Sequence, residues 1–281
     1  MPSTLMGSNL KTLHQLTSSL ENSSKMPVLF LGHGSPMNAI EENQFVQGFR
    51  KVSSEIEPPR AILCISAHWE TRGTRVTAME SPRTIHDFGG FPQELFAVQY
   101  PAPGSPELAR ETKDLITSTE VHLDDKWGLD HGAWSVIKHM YPEADVPVIQ
   151  MSLDRTKGPR YHYELAAELA KLRNKGVLIV GSGNIIHNLR MVSWQHLNKS
   201  YAFDWAAEAS NKMKTYIEDG NHDPLINYAQ QGRSFELAIP TPEHYLPLLY
   251  TLGLQEKRDE LVLFNDEPIA GSLRMTSLKI G

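Results

Sequence analysis

The sequence has few of the features that mark secreted, membrane-embedded or nucleic-acid-binding proteins. It contains one cysteine, Cys64, so no internal disulfide can form, and a cytoplasmic location is expected. No apolar run approaches the roughly 18–20 residues of a transmembrane helix. The net charge of −6 comes without a lysine or arginine run, whereas a nucleic-acid groove needs a basic stripe. We therefore expect neither membrane nor nucleic acid as a partner.

Several common catalytic motifs are also missing. The chain has no glycine-rich phosphate loop ending in Lys-Ser/Thr, no His-Glu-x-x-His helix and no cysteine pair for structural zinc. Gly181-Ser182-Gly183 does not satisfy the Gly-x-Ser-x-Gly pattern of a hydrolase nucleophile. Ser35 beside His33 is only a weak hydrolase feature. The chemistry must therefore come from other residues.

The chain is long enough for one large domain. It has 281 residues, of which 40% are hydrophobic, so it can form a sizeable core. Residues 1–25 are rich in Ser, Thr and Asn, lack aromatic residues and do not have the pattern of a signal peptide. We expect them to form a flexible N-terminal extension, or one that packs on a partner, before a domain over residues 26–281. Nothing in the sequence distinguishes a monomer from a small homo-oligomer.

Short apolar runs alternate with helical patterns from Pro27 onwards. Continuous, short apolar runs are typical of strands buried on both faces, and the helical patterns between them indicate helices on those faces. We therefore predict a single α/β domain with a central, largely parallel or mixed sheet flanked by helices. The run from Leu261 predicts an antiparallel addition to that sheet. The predicted core strands are Val28–Leu31, Ala61–Ser66, Val148–Leu153 and Val177–Gly181.

A histidine follows three of these predicted strands. His33, His68 and His187 come after the first, second and fourth runs. Ligands of open α/β sheets bind at the carboxyl ends of the strands, so these side chains are expected to lie near one another. One such histidine alone would be an ordinary polar residue, but imidazoles at three equivalent positions suit Fe(II), Zn(II) or Cu(II). The sequence therefore predicts a metal site at this edge.

Two further histidines lie beside predicted helix ends. Thr241 is a good N-cap and Pro242 a good first residue, which places His244 in the first helical turn. His244 then either points into a pocket or is incidental to an ordinary capped helix. His131 follows Asp130 and is either an acid or hydrogen-bond donor for a substrate or part of a helix cap. Both alternatives stay open for each histidine.

The segment from Ser81 to Gly104 is long, irregular and rich in proline and glycine. Such segments in a compact domain are usually functional or mobile, so we expect this one to line a pocket. His86, Phe88 and Phe91 would suit the wall of a small aromatic pocket, or they form a structural loop. The remaining histidines lack supporting neighbours and are interpreted as surface or packing residues: His14, His122, His139, His162, His196 and His222.

Together these motifs resemble one family, the class III extradiol ring-cleavage dioxygenases, and within it the 4,5-DOPA dioxygenase extradiol branch. The matching pieces occur in the family's order and cover nearly everything after Met26. They are Gly32-His33-Gly34-Ser35-Pro36, Ser66-Ala67-His68-Trp69, His86-Asp87-Phe88-Gly89-Gly90-Phe91-Pro92, Tyr100-Pro101-Ala102-Pro103-Gly104, Asp130-His131-Gly132, Gly181-Ser182-Gly183-Asn184, His187-Asn188-Leu189 and Pro240-Thr241-Pro242-Glu243-His244-Tyr245-Leu246-Pro247.

The resemblance implies one divalent metal per chain, held by His33 and His68, with His244 where relatives commonly have a carboxylate. It implies that His187 is the base or a further metal ligand, and that His131 lies near the substrate. It also implies a small catechol such as DOPA, opened with dioxygen by 4,5-cleavage to a semialdehyde. Fe(II) is expected for that reaction, and Zn(II) is compatible with an all-histidine set. The expected substrate-binding residues are Ser35, His86, Phe88 and Phe91.

Two other functions are compatible with the same residues. A zinc hydrolase would use the histidines to lower the pKa of a bound water, and it would not consume dioxygen. A non-catalytic binding protein of the related Memo type would show an exposed apolar patch and an incomplete metal site.

Glu243 is an alternative metal ligand to His244, although adjacent helical residues point about 100° apart.

Overall fold

The computed structural model describes residues 25–197 and 199–281 of the chain. The expectation for residues 1–25 therefore lies outside the described residues, except for Lys25. Within the described part, eight strands form one mixed sheet and two form a small hairpin. The strands are β1 Val28–Gly32, β2 Ala61–Thr71, β3 Thr74–Thr77, β4 Val121–Asp124, β5 Val148–Asp154, β6 Val177–Gly183, β7 Leu261–Phe264, β8 Pro268–Ile269, β9 Leu273–Arg274 and β10 Ser277–Ile280.

The large sheet has the order β4-β3-β5-β2-β6-β1-β10-β7. Its centre, β5-β2-β6-β1, is parallel throughout. β10 pairs antiparallel with β1 and with β7, as predicted for the run from Leu261. The predicted single α/β domain with a largely parallel or mixed sheet is thus confirmed, and the carboxyl ends of β1, β2, β5 and β6 meet at one edge.

Helices cover both faces of this sheet. They are α1 Gln44–Ser54, α2 Gln93–Phe96, α3 Pro106–Leu115, α4 His131–Met140, α5 Pro159–Glu168, α6 Ala170–Arg173, α7 Asp204–Glu218, α8 Asp223–Ile226, α9 Arg233–Ala238 and α10 Leu246–Gly253. Short 3₁₀ helices lie at Pro36–Ala39, Leu189–Met191, Trp194–His196 and Tyr228–Gln230.

The alternation of side chains along each strand divides the core in two. Val28 and Phe30 of β1 belong to one buried cluster, with α3, α5, α7 and α10. Leu29 and Leu31 belong to the other, with α1 and α4. Because successive side chains of a strand point to opposite faces, a continuous apolar run is what a sheet covered on both sides requires.

The second strand is longer than predicted. We expected Ala61–Ser66 with His68 beyond its end, whereas β2 continues to Thr71 and contains His68. Its pairing with β5 shifts register between Ile65 and Glu70, so that residues 66–69 stand opposite Ser152 alone. Such a bulge re-aims the side chains it carries and is common next to active sites. The bulge explains how His68 belongs to a strand and still faces the edge of the sheet.

The helix after Thr241 begins later than predicted. Helix α10 starts at Leu246, and residues 243–245 form a turn, so His244 precedes the helix. Pro247 accounts for the difference: it has no N–H to donate to Glu243, so a regular helix started at Pro242 would lose a backbone hydrogen bond there. At the first turn of a helix that starts at Leu246, the missing N–H has no such cost.

Among the described residues, no helix is long and apolar enough to cross a membrane.

His162 is a packing residue, as interpreted, and it predicts a dependence of stability on pH. It is fully buried in α5, and its Nδ1 atom lies 3.2 Å from Tyr250 Oη of α10. Burial lowers the pKa of His162 to about 4, although the Asp154 charge acts to raise it. An unfolded histidine has a pKa of about 6.5. Stability contributed by neutral His162 is therefore present above that value and is lost as the pH falls towards the folded pKa.

We expect the His162→Gln variant to lose less stability than the wild type on acidification. Between about pH 7.5 and about pH 4.5 the difference should be roughly 2–3 kcal/mol, from the separation of the two pKa values. Urea unfolding at both pH values measures it, with exposed His122→Gln as a control that follows the wild type. An equal change of the unfolding free energy with pH in the wild type and in His162→Gln would contradict the prediction.

Candidate active site

Histidines from separate elements meet at the carboxyl edge of the sheet. The ring centroid of His33 lies 5.0 Å from that of His68 and 5.2 Å from that of His244, and the His68 and His244 centroids are 4.9 Å apart. His33 and His244 are buried and His68 is partly exposed. One ring nitrogen from each of these three residues lies within 4.8 Å of the others. The spacing is compatible with one metal ion.

His33 is held directly after β1. Its backbone N–H donates to the Gly183 carbonyl of β6 at 3.0 Å. Its Nδ1 atom is 2.9 Å from Ser182 Oγ, which in turn donates its own proton to the Gly132 carbonyl at 2.5 Å. Because the serine proton is used there, Ser182 accepts from His33, which must be protonated at Nδ1. The Nε2 lone pair of His33 is therefore free.

His68 faces His33 from the bulge in β2. The two Nε2 atoms are 3.3 Å apart, and the Nδ1 atom of His68 lies 3.3 Å from Asp87 Oδ2. A carboxylate at Nδ1 favours a proton on that nitrogen, which leaves Nε2 unprotonated towards His33.

His244 completes the group from the turn before α10. Its carbonyl accepts the Asn184 N–H at 2.8 Å, and Gly183 lies so close to that carbonyl that a Cβ there would clash with it. Its Nδ1 atom is 3.2 Å from Glu243 Oε1, and Thr241 Oγ1 donates to the same oxygen at 2.8 Å. Glu243 thus occupies the Nδ1 side of the ring, which leaves Nε2 on the other side.

Burial and neighbouring rings keep two of these imidazoles, His33 and His68, neutral. Burial and the neighbouring His68 ring lower the pKa of His33 well below its ordinary value. Burial and the His131 ring do the same for His68. Burial acts to raise the pKa of Glu243, but hydrogen bonds from His244, from its own backbone N–H and from Thr241 lower it to about 2. Neutral imidazoles backed by carboxylates are the ordinary chemistry of a histidine metal site.

His187 lies against His244 and not among the three converging nitrogens. The two rings are stacked, with centroids 3.6 Å apart and an interplanar angle of 7°. The backbone N–H of His187 donates to the Ala238 carbonyl at 2.9 Å and fixes the position of the residue. It also forms a separate group with Glu243 and His244 that is close enough to hold an ion. Burial and the His244 ring lower the pKa of His187 to about 3.

His131 lies on the opposite side, as the first residue of α4. Asp130 caps this helix by accepting from the Ala133 N–H, as the helix-cap interpretation predicted. His131 also meets the site, since its ring centroid is 3.9 Å from that of His68 and its Nδ1 atom is 3.0 Å from Asp87 Oδ1. The two interpretations of this segment are therefore compatible.

The irregular segment between β3 and α3 reaches the site through Phe88. The Phe88 ring lies 5.4 Å from that of His131, edge to face, and Phe91 packs on Phe88 at 5.5 Å. His86 is 5.8 Å from Phe88, and its Nε2 atom donates to the Val98 carbonyl at 2.9 Å. Ser35 is exposed and caps the 3₁₀ helix after β1 by accepting from the Met37 N–H. Phe88 thus contacts the histidine cluster, whereas His86 and Ser35 bond to the backbone.

Two functional candidates had no assigned role from the sequence. Asp87 contacts His68 and His131, and Ser182 contacts His33. Each is far along the chain from the histidine it supports, so spacing carries no signal. Only their presence within the histidine-bearing motifs points to them.

Comparison with known proteins identifies the class. Residues 26–267 match the family described as the catalytic LigB subunit of aromatic ring-opening dioxygenase. The chain belongs to this family, and it is thereby an extradiol ring-cleavage dioxygenase.

Two named relatives and one solved structure are similar to most of the chain. The chain is 46% identical over 264 residues to "4,5-DOPA dioxygenase extradiol" of Escherichia coli K12, which covers 92% of this chain and 96% of the relative. It is 37% identical to the protein of the same name from Beta vulgaris, covering 89% and 94%. A crystal structure of an uncharacterized Escherichia coli K12 protein matches with a TM-score of 0.75 and 41% identity, covering 91% of this chain and all of that one.

Proposed function

We propose that this enzyme opens the ring of a small catechol such as DOPA by extradiol 4,5-cleavage, using one divalent metal held by His33, His68 and His244. The observation that carries the proposal is the convergence of three imidazoles, each with a hydrogen-bond acceptor at Nδ1. Relatives covering most of the chain bear the corresponding name.

The donor set fits a divalent transition metal. Imidazole nitrogens suit iron and zinc, and acceptors at Nδ1 orient the rings and raise their basicity. A bound divalent iron would supply the redox chemistry that ring cleavage with dioxygen requires, which zinc lacks.

We assign to His187 the transfer of the proton of a catechol hydroxyl. Its lowered pKa keeps the imidazole neutral at ordinary pH, so its free nitrogen can accept a proton. The same pKa makes it a weak base until a negative oxygen lies nearby, since an opposite charge raises the pKa again. The basicity of His187 would therefore rise as a negative phenolate oxygen forms beside it. His187 would first take up the proton as a base and later return it as an acid.

His131 and Phe88 form the wall on the other side. We assign hydrogen-bond support of the substrate to His131 and ring packing to Phe88, with Phe91 behind it. An edge-to-face aromatic wall at 5.4 Å from an imidazole suits a flat catechol ring. Ser35 and His86 would then affect the substrate indirectly, through the loops that their hydrogen bonds to the backbone stabilise.

A single buried cysteine, Cys64, agrees with a cytoplasmic enzyme.

Oxygen uptake tests this function. Protein loaded anaerobically with Fe(II) should consume dioxygen with DOPA and form a coloured ring-opened product, whereas zinc-loaded protein should consume none. Absence of uptake across a catechol panel, despite measured iron in the protein, would contradict the proposal. Hydrolysis of ester or amide substrates by the zinc form, without oxygen, would support the hydrolase alternative.

A further inference from the structure

Asp87 lies between two histidines that come from different elements. Its Oδ2 atom is 3.3 Å from Nδ1 of His68 in the bulge of β2, and its Oδ1 atom is 3.0 Å from Nδ1 of His131 at the start of α4. Oδ1 also accepts a hydrogen bond from the His131 backbone N–H at 2.9 Å. One carboxylate therefore joins the irregular segment, the central sheet and a helix N-terminus.

An ionised carboxylate can only accept hydrogen bonds. Oδ1 already accepts the backbone N–H of His131 at 2.9 Å and Oδ2 faces Nδ1 of His68 at 3.3 Å, so both oxygens are used as acceptors. A proton on the Nδ1 atom of each ring then faces one oxygen of this carboxylate. For His68 this leaves the lone pair on Nε2, the nitrogen that faces His33 at 3.3 Å.

We propose that Asp87 is a positioning residue that sets the tautomers of His68 and His131 together. It keeps the metal-binding nitrogen of His68 unprotonated, and it holds the segment carrying Phe88 against His131. The inference rests on the proposed function in taking His68 as a metal ligand.

The side-chain amide of asparagine has the same shape as the aspartate carboxylate. It differs in having one acceptor, the oxygen, and one donor, the NH₂ group. The backbone N–H of His131 cannot change its role, so the amide oxygen must stay at the Oδ1 position. The NH₂ group then faces Nδ1 of His68, which must become the acceptor and carry its proton on Nε2. Asp87→Asn therefore puts a proton on Nε2 of His68, so that this nitrogen cannot bind a metal, without removing any side chain of the metal site.

We expect Asp87→Asn to weaken zinc binding about 10–100-fold, the usual effect of losing a carboxylate behind a metal-binding histidine. Chelator-stripped wild type and variant are titrated with Zn(II) against a chromophoric chelator. The exposed Asp125→Asn variant makes the same charge change and should bind as the wild type does. Thermal unfolding establishes that both variants are folded.

The tautomer is read directly from ¹⁵N shifts of the imidazoles in the metal-free protein, with His68 assigned by comparison with His68→Gln. The proposal expects a proton on Nδ1 of His68 in the wild type and on Nε2 in Asp87→Asn. A proton on Nε2 in the wild type overturns it, whether or not the variant folds. Equal zinc affinity in wild type and folded Asp87→Asn overturns it as well.

The same data separate this inference from the proposed function. If the wild type binds no metal, the metal site fails, while the His68 tautomer still decides the role of Asp87. If the wild type binds zinc and His68 does not change tautomer in Asp87→Asn, the inference fails and the metal site stands.

Discussion

The His187→Gln variant is expected to open catechol rings about 10²–10⁴-fold more slowly than the wild type, which is the usual effect of losing a positioned acid–base group. Glutamine is neutral and polar but cannot take up a proton. Most of the metal should remain bound, because His187 stacks on His244 at 3.6 Å and lies outside the group of His33, His68 and His244.

Bound iron and single-turnover rate, measured on one sample of His187→Gln, test this expectation. His33→Ala is the matched comparison, since it removes one of the three converging nitrogens and should lose most of the metal together with activity. A parallel loss of metal and rate in His187→Gln would make His187 a ligand. Normal turnover with normal metal content would remove it from both roles and leave His131 as the base.

The Asp259→Asn variant is expected to lower the free energy of unfolding by about 3–5 kcal/mol, the range for removing one partner of a buried ion pair. The Arg173 side chain is fully buried, and its Nη1 atom lies 2.7 Å from Asp259 Oδ2, which is almost as inaccessible. The variant leaves the guanidinium charge in the interior without its carboxylate.

Arg173 also joins distant parts of the chain. Its guanidinium donates to the carbonyl oxygens of Met26 before β1, Leu254 after α10 and Ile280 of β10. Loss of its counter-charge should therefore weaken the contacts of the segment before β1, of the end of α10 and of β10.

Urea unfolding of Asp259→Asn measures the effect. Lys25→Gln is the control, because Lys25 is partly exposed and pairs with both Asp259 and Glu256, so its loss should cost about 1 kcal/mol or less. A loss below about 1 kcal/mol in Asp259→Asn would show that water reaches the guanidinium.

The strands buried on both faces were predictable because their signal is local. Val148–Leu153 was predicted and β5 is Val148–Asp154, and the first and fourth runs were extended by only one or two residues. Strand β3 and the edge strand β4 were not predicted, because Thr74–Thr77 is mostly polar in sequence and Val121–Asp124 is largely exposed. A hydrophobic pattern cannot identify a strand whose residues are polar, as in β3, or whose side chains are mostly exposed, as in β4.

Which histidines follow buried strands was readable from local sequence, since a buried run precedes both His33 and His187. The folded structure was needed to show that His68 lies on a bulge, that His244 precedes its helix, and that Asp87 and Ser182 contact the Nδ1 sides of the rings. The reason is that periodicity and turn chemistry act over a few residues. The hydrogen-bond acceptor that sets a histidine tautomer instead comes from a segment distant in sequence, which the strand order of the sheet brings next to that histidine.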